Sequence, residues 1–417
     1  MKRLVGLIMC YGLVSAGEGQ ITISYCQERA QANYPLIKEY DLIKKSTDYT
    51  LSNANKAYLP QVSLNLIGGI IAGGFPTSSQ GNGQKAEKNN TQLIGIAQVN
   101  QTIWDGGATR VQKDIARANS EVETANIDVS IYSVRENINQ VYFGILVIDE
   151  QLKQLQISNE NLIRSLENIK LSKENGLAYT SDVDEVRSEI LNLEQKRLDF
   201  VFTRKGYVKM LSFLIGQALN DTTQLEKPVL IGTVDSVINN RPELKLYKSQ
   251  LKLIEAQSAT DKVNLMPKIG VIGAGVMLLP GVSLGNSKLK GIGVLGLGVS
   301  WSMGNLYTNS NNKNLTRLSM DKISDQRDAF LFTNHFQLMQ AASEIDRERA
   351  ILSKDEEIVA LKGEITKSYQ IRFDNGMCSM NDLVTSINKE SEARSNRALH
   401  LVQLLMSTYN YMLMSGN

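Results

Sequence analysis

The sequence predicts an α+β membrane protein assembled twice from one helix, strand, strand, long helix, helix unit. Three observations carry this. Prolines and their neighbours recur at a constant offset. Apolar residues from Ile127 to Ile169 follow a heptad. Two pairs of alternating segments are each separated by a loop rich in Gly, Ser and Asn.

The duplication is read first. The chain has 417 residues and seven prolines, at 35, 60, 76, 228, 242, 267 and 280. Pro35 to Pro242 and Pro60 to Pro267 span the same 207 positions. Ala57-Tyr58-Leu59-Pro60-Gln61-Val62 parallels Asn264-Leu265-Met266-Pro267-Lys268-Ile269. Trp104 pairs with Trp301, Asn175-Gly176 with Asn375-Gly376, and Gly216 with Gly416. So long a period means a duplicated domain-sized unit rather than a solenoid. A signal segment is expected at 1–16, the first repeat at 17–220 and the second at 221–417.

No proline falls between Pro76 and Pro228 or after Pro280, which leaves room for very long helices. Ile127, Ile131, Val134, Ile138, Val141, Ile145, Ile148, Leu152, Leu155, Asn159, Leu162, Leu166 and Ile169 alternate spacings of four and three. That heptad seam predicts left-handed helix packing. The second repeat keeps half of it, with Leu331, Leu338, Ile345, Leu352 and Val359 every seven residues. A helix from 108 to 173 would be roughly 100 Å long at 1.5 Å per residue. Glu174-Asn175-Gly176 and Asp374-Asn375-Gly376 read as helix stops, because Gly takes the positive φ of a C-cap without strain. A second helix then returns from about 182 and 382, opened by Ser and Asp as caps. The helical hairpins are expected at 108–215 and 305–415.

The strands are a different material. Val62, Leu64, Leu66, Gly68, Ile70 and Ala72 alternate with Gln61, Ser63 and Asn65. Leu93, Gly95, Ala97, Val99, Gln101 and Ile103 lead to Trp104. Ile269, Val271 and Gly273 repeat the pattern, and Leu295, Leu297 and Val299 lead to Trp301. The expected strands are 61–75, 91–104, 268–280 and 290–302, with loops at 74–90 and 280–290. A membrane barrel strand needs about 9–11 residues. Trp104 and Trp301 stand at strand ends, where an interfacial aromatic girdle would be. A small soluble sheet with buried Trp is the other reading this pattern leaves open. If the strands do span a membrane, four cannot close a barrel, and open edges in lipid cost several kcal/mol for each unpaired group. The chain would then have to share one barrel with other copies.

Composition narrows the function classes. Charged residues are 21% and mixed in sign, with a formal net charge of +2, so no polyanion-binding field and no nucleic-acid partner are implied. Lys2 and Arg3 precede a short apolar run, Leu4 to Val14, and Val14-Ser15-Ala16 fits a cleavage site. Cys10 invites lipidation, but Met9 before it fits a lipidation box poorly. Cys26 and Cys378 have no disulfide-framework spacing. His335 and His400 lack a second ligand at metal spacing and read as ordinary helix residues. Gly291-Ile-Gly293-Val-Leu-Gly296 matches a dinucleotide pattern but lies inside an alternating strand. Gly281-Val-Ser283-Leu-Gly285 matches a nucleophile elbow but falls in a hairpin loop. The residues give no positive argument for an enzyme, a cofactor or a metal.

Tyr58-Leu59-Pro60-Gln61-Val62-Ser63-Leu64, Trp104-Asp105-Gly106-Gly107 and Asn240-Arg241-Pro242-Glu243-Leu244 are telling in this order and with this duplication. Together they resemble the TolC-type outer-membrane efflux protein family, over residues 22 to 416. The resemblance implies a homotrimer with a 12-stranded β-barrel in outer-membrane lipid, joined to a long α-helical coiled-coil tunnel in the periplasm. Segments 17–50 and 215–245 would wrap the tunnel's middle. The tips, Asn175, Gly176, Asn375 and Gly376, would meet a periplasmic adaptor (membrane fusion) protein and an inner-membrane pump of RND or ABC type. The chain would be a passive exit duct for efflux or type I secretion. The family's tunnel entrance is lined by acids six and nine positions after the second tip Gly. Here those positions are Asp382 and Thr385; their counterparts in the first repeat are Asp182 and Glu185. The family's closing Tyr and Arg fall on Phe373 and Cys378, which implies a looser or more hydrophobic closure. The alternative from another class is an exported coiled-coil structural or adaptor protein without a pore. An exported hydrolase would rest on Ser283 alone.

Overall fold

The computed structural model describes residues 21–70, 91–176, 178–230, 239–280 and 290–416. The expected signal segment at 1–16 with Cys10, the loop at 74–90, strand positions 71–75 and Ser283 lie outside them. The described helices are α1 (Ile23–Asn33), α2 (Glu39–Asn55), α3 (Ala108–Glu174), α4 (Thr180–Ile215), α5 (Pro242–Val263), α6 (Asn305–Asp374) and α7 (Met380–Ser415). The strands are β1 (Gln61–Ile70), β2 (Thr91–Trp104), β3 (Lys268–Pro280) and β4 (Lys290–Ser300). Two compact units result, one of residues 1–37, 128–242 and 331–417, the other of 38–127 and 243–330.

The second unit holds the sheet. Its strands run in the order β1-β2-β3-β4, each antiparallel to its neighbour. The β2–β3 pairing therefore joins the two repeats edge to edge. Residues directly opposite share a face. Val62, Val99, Gly273 and Leu295 lie on one rung, and Ser63, Gln98, Ala274 and Val294 lie on the next, facing the other way. The fourth strand ends at Ser300 rather than at 302, because the Ser302 carbonyl already accepts the N–H of Asn305 in the turn into α6.

The first unit is helical. One apolar cluster gathers Cys26 of α1, Ile138, Tyr142, Phe143 and Ile145 of α3, Leu211 and Ile215 of α4, and Val402 and Leu405 of α7. The Phe143 ring meets Tyr142 edge-on at 5.9 Å between centroids. Tyr142 is fully buried, and its hydroxyl lies 2.7 Å from the Ile21 carbonyl and 2.6 Å from the Glu226 carbonyl. It thus ties two irregular segments, themselves bridged at Ile21 and Leu225, onto α3. Arg204 of α4 holds the same strap. Its guanidinium pairs with Asp149 at 2.5 Å and donates to the carbonyls of Asp221 and Thr223. A second cluster nearer the turns packs Leu155, Leu162 and Ile169 of α3, Val183 and Val186 of α4, and Leu383, Val384 and Ile387 of α7.

The heptad seam of α3 is buried at Ile127, Ile131, Val134, Ile138, Val141, Ile145, Ile148, Leu155, Leu162 and Ile169. Towards the turn it rotates by one residue. Ser158 and Ser165 are buried there instead of Asn159 and Leu166, and the Ser158 hydroxyl meets that of Ser391 on α7. Small side chains let the helices approach closely at this level. In α6 the absent half of the heptad is present but polar. Asn334, Glu348 and Asp355 are buried between the apolar positions, with Ala341 completing the spacing. Asn334 donates to the Met414 carbonyl at 2.8 Å, Arg347 pairs with Glu348 at 2.7 Å, and Asp355 sits 2.6 Å from Nδ1 of His400.

Replacing Tyr142 with Phe removes the single O–H that the two carbonyls share, although the Ile21 carbonyl keeps the Glu226 N–H at 3.0 Å. The expected cost is roughly 1–2 kcal/mol. Denaturant unfolding of the variant in detergent, with amide exchange read at 21–26 and 224–227, checks this. Unchanged exchange there contradicts the tie.

Candidate functional site

Two regions carry the unusual chemistry, the sheet with its junction to α3 and the turns between the long helices. On one sheet face the described side chains are Val62, Leu64, Leu66, Leu93, Ala97, Val99, Ile269, Val271, Met277, Leu295, Leu297 and Val299, with glycines between and Gln101 the sole polar one. Leu64, Leu295 and Leu297 are each 79% exposed, so among the described residues nothing packs over them. So large an exposed apolar patch marks a contact with lipid or protein. The opposite face is more polar at the helix end, with Gln61, Ser63, Gln98, Asn100, Thr102, Lys268 and Ser300 beside Ile272, Ala274 and Val294. β1 and β4 have a partner on one side only.

A β-bulge lies between Thr102 and Trp104. The extra residue turns Trp104 onto the rung of Ile269 and Val299, the apolar face, at the end of β2. Trp301 follows Ser300 at the end of β4, and its indole N–H donates to the Leu265 carbonyl at 3.1 Å. Both Trp are half exposed. They stand at the strand ends, as their spacing predicted.

The turn from β2 to α3 is built by Asp105. Its carboxylate accepts the N–H groups of Gly107 at 2.9 Å and Thr109 at 2.7 Å and the Tyr58 hydroxyl at 3.0 Å. Burial opposes its charge, but donation from Thr109, Gly107 and Tyr58 outweighs it and brings the pKa down to about 2. Gly106 has φ 69° beside it, and a Cβ there would stand 2.6 Å from Met266. Asp105 therefore fixes the first turn of α3 as an N-terminal cap does. Its signal in the sequence was a lone Asp before two glycines and a helix, and the second repeat, with Ser302 at that position, lacks it.

At the turns, Gly176 and Gly376 have φ of 72° and 69° with open space where a Cβ would be, so backbone conformation alone requires Gly. The Asn175 and Asn375 amides donate to the carbonyls of Leu171 and Ile371 at 2.9 and 2.7 Å. The returning helices start two residues earlier than expected. Ser379 caps α7: its hydroxyl accepts the N–H of Asp382 at 3.2 Å, and the Asp382 carboxylate accepts the N–H and hydroxyl of Ser379 at 3.0 and 2.6 Å. Those donations, the hydroxyl's first, hold the Asp382 pKa below the usual carboxylate value. This is a reciprocal capping box, legible as Ser-x-x-Asp. In α4 the cap position is Tyr179, not a Ser or Asp. Asp182 supplies one arm of a box, accepting the Tyr179 N–H at 2.7 Å.

Val183 and Val186 share the apolar cluster of Leu383 and Val384, so Asp182, Glu185 and Asp382 stand at one end of it. Glu185 and Asp182 are half-buried, and Asp382 is exposed. Phe373 packs against the cluster of its own chain. Cys378 is half-buried, its thiol 3.6 Å from the Tyr369 carbonyl. Desolvation and then the Asp382 charge raise its pKa. Cys26 is a free thiol in the other cluster, pushed up to about 12 by burial. His400 belongs to the seam through Asp355 rather than to a metal site, and among the described residues no three His, Cys, Asp or Glu side chains converge on one point. Gly291–Gly296 lies within β4, not in a strand-to-helix turn. No described helix is long and apolar enough to cross a membrane.

No family model and no curated protein matches the chain. Solved structures do. The outer membrane protein VceC from Vibrio cholerae is 13% identical over 95% of this chain and 96% of its own, with a TM-score of 0.65. The chain has the TolC-type outer-membrane channel fold. The CmeC outer membrane channel of Campylobacter jejuni matches at 13% identity over 94% and 85% of the two chains, TM-score 0.64. The open state of the MtrE outer membrane channel of Neisseria gonorrhoeae matches at 12% identity over 94% and 89%, TM-score 0.63. At these identities the likeness establishes the fold.

Asp105 supplies a pH test of the junction. Its folded pKa lies below the unfolded value of about 3.9, so its contribution is complete above pH 4 and disappears as pH falls through about 2. Asp105→Asn should lower stability at pH 7 and remove that part of the acid loss. Thermal melts of both proteins from pH 2 to 7 check it, and parallel curves contradict it.

Proposed function

We propose that the protein is an outer-membrane channel, a homotrimer that conducts solute passively from the periplasm to the outside. The observation that carries this is the open four-stranded sheet, exposed and apolar on one face and unpaired at both edges. In lipid such edges must be paired, and only closure does so for every copy. Four is an even number of antiparallel strands, so β4 of one chain meets β1 of the next antiparallel, as the rest of the sheet does. Three chains give twelve strands, within the range of membrane barrels, whereas one chain cannot enclose a pore. Trp104 and Trp301 then lie at the helix-side lipid boundary. The channels that share the fold support the reading.

Within it, the helical hairpins line a periplasmic tunnel. The tips at Gly176 and Gly376 face an adaptor and an inner-membrane pump, of RND or ABC type, which supplies the energy. The chain is the exit duct of a tripartite efflux or type I secretion system. Asp382, kept ionised by Ser379, stands three times around the tip end, with Asp182 and Glu185 near it, and such a ring favours cations.

Light scattering corrected for bound detergent should give three times the mass of one chain, and the trimer should conduct in planar bilayers. A conducting monomer, or a non-conducting protein soluble without detergent, contradicts the reading. The latter outcome fits the exported coiled-coil alternative.

Asp382→Asn keeps an acceptor for the Ser379 N–H and removes the charge. It should weaken cation selectivity and weaken block by a trivalent cation added from the tip side. Recordings belong at low salt, since the screening length falls to ~3 Å near 1 M. Unchanged selectivity and block would leave Asp382 as a helix cap alone.

A further inference from the structure

The sheet face opposite the lipid-type face is not polar throughout. Near the helices its rungs are mixed, Gln61 and Asn100 with Ile272, Ser63 and Gln98 with Ala274 and Val294, and Lys268 with Ser300. Towards the hairpin loops the chemistry changes. Ile96, Val276 and Ile292 share one rung with Asn65, and Ile67 and Ile94 share the next with Leu278 and, at its end, Lys290. Ile67 and Ile292 are 54% and 75% exposed. A lumen filled with water gains nothing from apolar side chains, and membrane barrels normally present polar residues inward. The strands of the described sheet also carry no carboxylate, and Lys268 gives this face positive charge.

We propose that these residues form an apolar band inside the barrel's loop-side half, a contact site for the apolar part of an amphipathic anion. This rests on the trimeric channel reading, which makes this face the lumen. Threefold repetition places fifteen Ile and Val side chains, five from each chain, around one stretch of the path. A passenger with an apolar body loses hydration there and is retained. Small hydrated ions gain nothing from the apolar side chains and are retained less. The missing carboxylates, with Lys290 at the end of the band's second rung, make an anion the better guest than a cation of equal size.

Tetraphenylborate and tetraphenylphosphonium are near-isosteric probes of opposite charge. With trimers in bilayers in potassium chloride, tetraphenylborate added from the loop side should block wild type at lower concentration than tetraphenylphosphonium. Ile96→Thr combined with Ile292→Thr keeps β-branched side chains in the strands and removes most of one rung's apolar surface. It should weaken tetraphenylborate block at least tenfold, while Gln98→Thr on a mixed rung leaves block unchanged. Equal block in wild type and the double variant, or stronger block by the cation, overturns the proposal while leaving the channel intact. A protein that forms no conducting trimer overturns the channel reading and the band with it. A second readout does not depend on block. In a Cys378→Ser background, a charged membrane-impermeant thiol reagent should modify a cysteine placed at Ile292 and spare one placed at Leu295. The reverse pattern puts the band in lipid and overturns the proposal.

Discussion

The structure depends on what happens at the free edges of β1 and β4. Each edge strand offers a row of backbone N–H and C=O groups with no strand partner among the described residues, beside a face of exposed Leu, Ile and Val. In water the edges could be solvated, but the apolar face would aggregate. In lipid the face is satisfied, but the edges are not. Only pairing β4 to β1 of another copy satisfies both. The bulge at Thr102–Trp104 belongs to the same design. By shifting one residue it brings Trp104 to the lipid-type face at the point where the strand stops.

The helices solve a different problem. A helix of the length of α3 or α6 cannot hold its shape by local hydrogen bonds alone; it needs a continuous seam. In α3 the seam is apolar and fills two clusters with α4 and α7. In α6 three of the alternate seam positions are polar, and Asp355 has His400 and Asn334 the Met414 carbonyl as partners. Buried polar pairs fix register more than they add stability. The tips are made for sharp reversal, with positive-φ glycines, Asn amides on the last carbonyls and Asp at the third position of each returning helix.

Much of this was legible in the residues. The second and third strands match their expected ranges, because alternation and proline spacing are local signals. Both long helices end where Asn-Gly stops them. The polar half of the α6 seam was hidden, since Asn334, Glu348 and Asp355 look like solvent-facing residues until their partners, far away in sequence, are known. The capping box of Ser379 and Asp382 was within reach, but a helix start set at the aspartate concealed it. The bulge had no signal, because an alternating strand reads the same with or without one extra residue near its end. Which residues share a sheet face was set only by cross-strand register.

The central claim is that the free edges of one chain pair with those of another. Single cysteines scanned along Val62–Gly68 of β1 and Gly291–Val299 of β4, combined pairwise in a Cys378→Ser background and oxidised in membranes, test it directly. A disulfide needs Cα atoms within about 7 Å. The account predicts a covalent three-chain product on a denaturing gel for registered pairs and none for pairs displaced by several residues. Only single-chain bands at every register, with both edges open to a water-soluble thiol reagent, would contradict it.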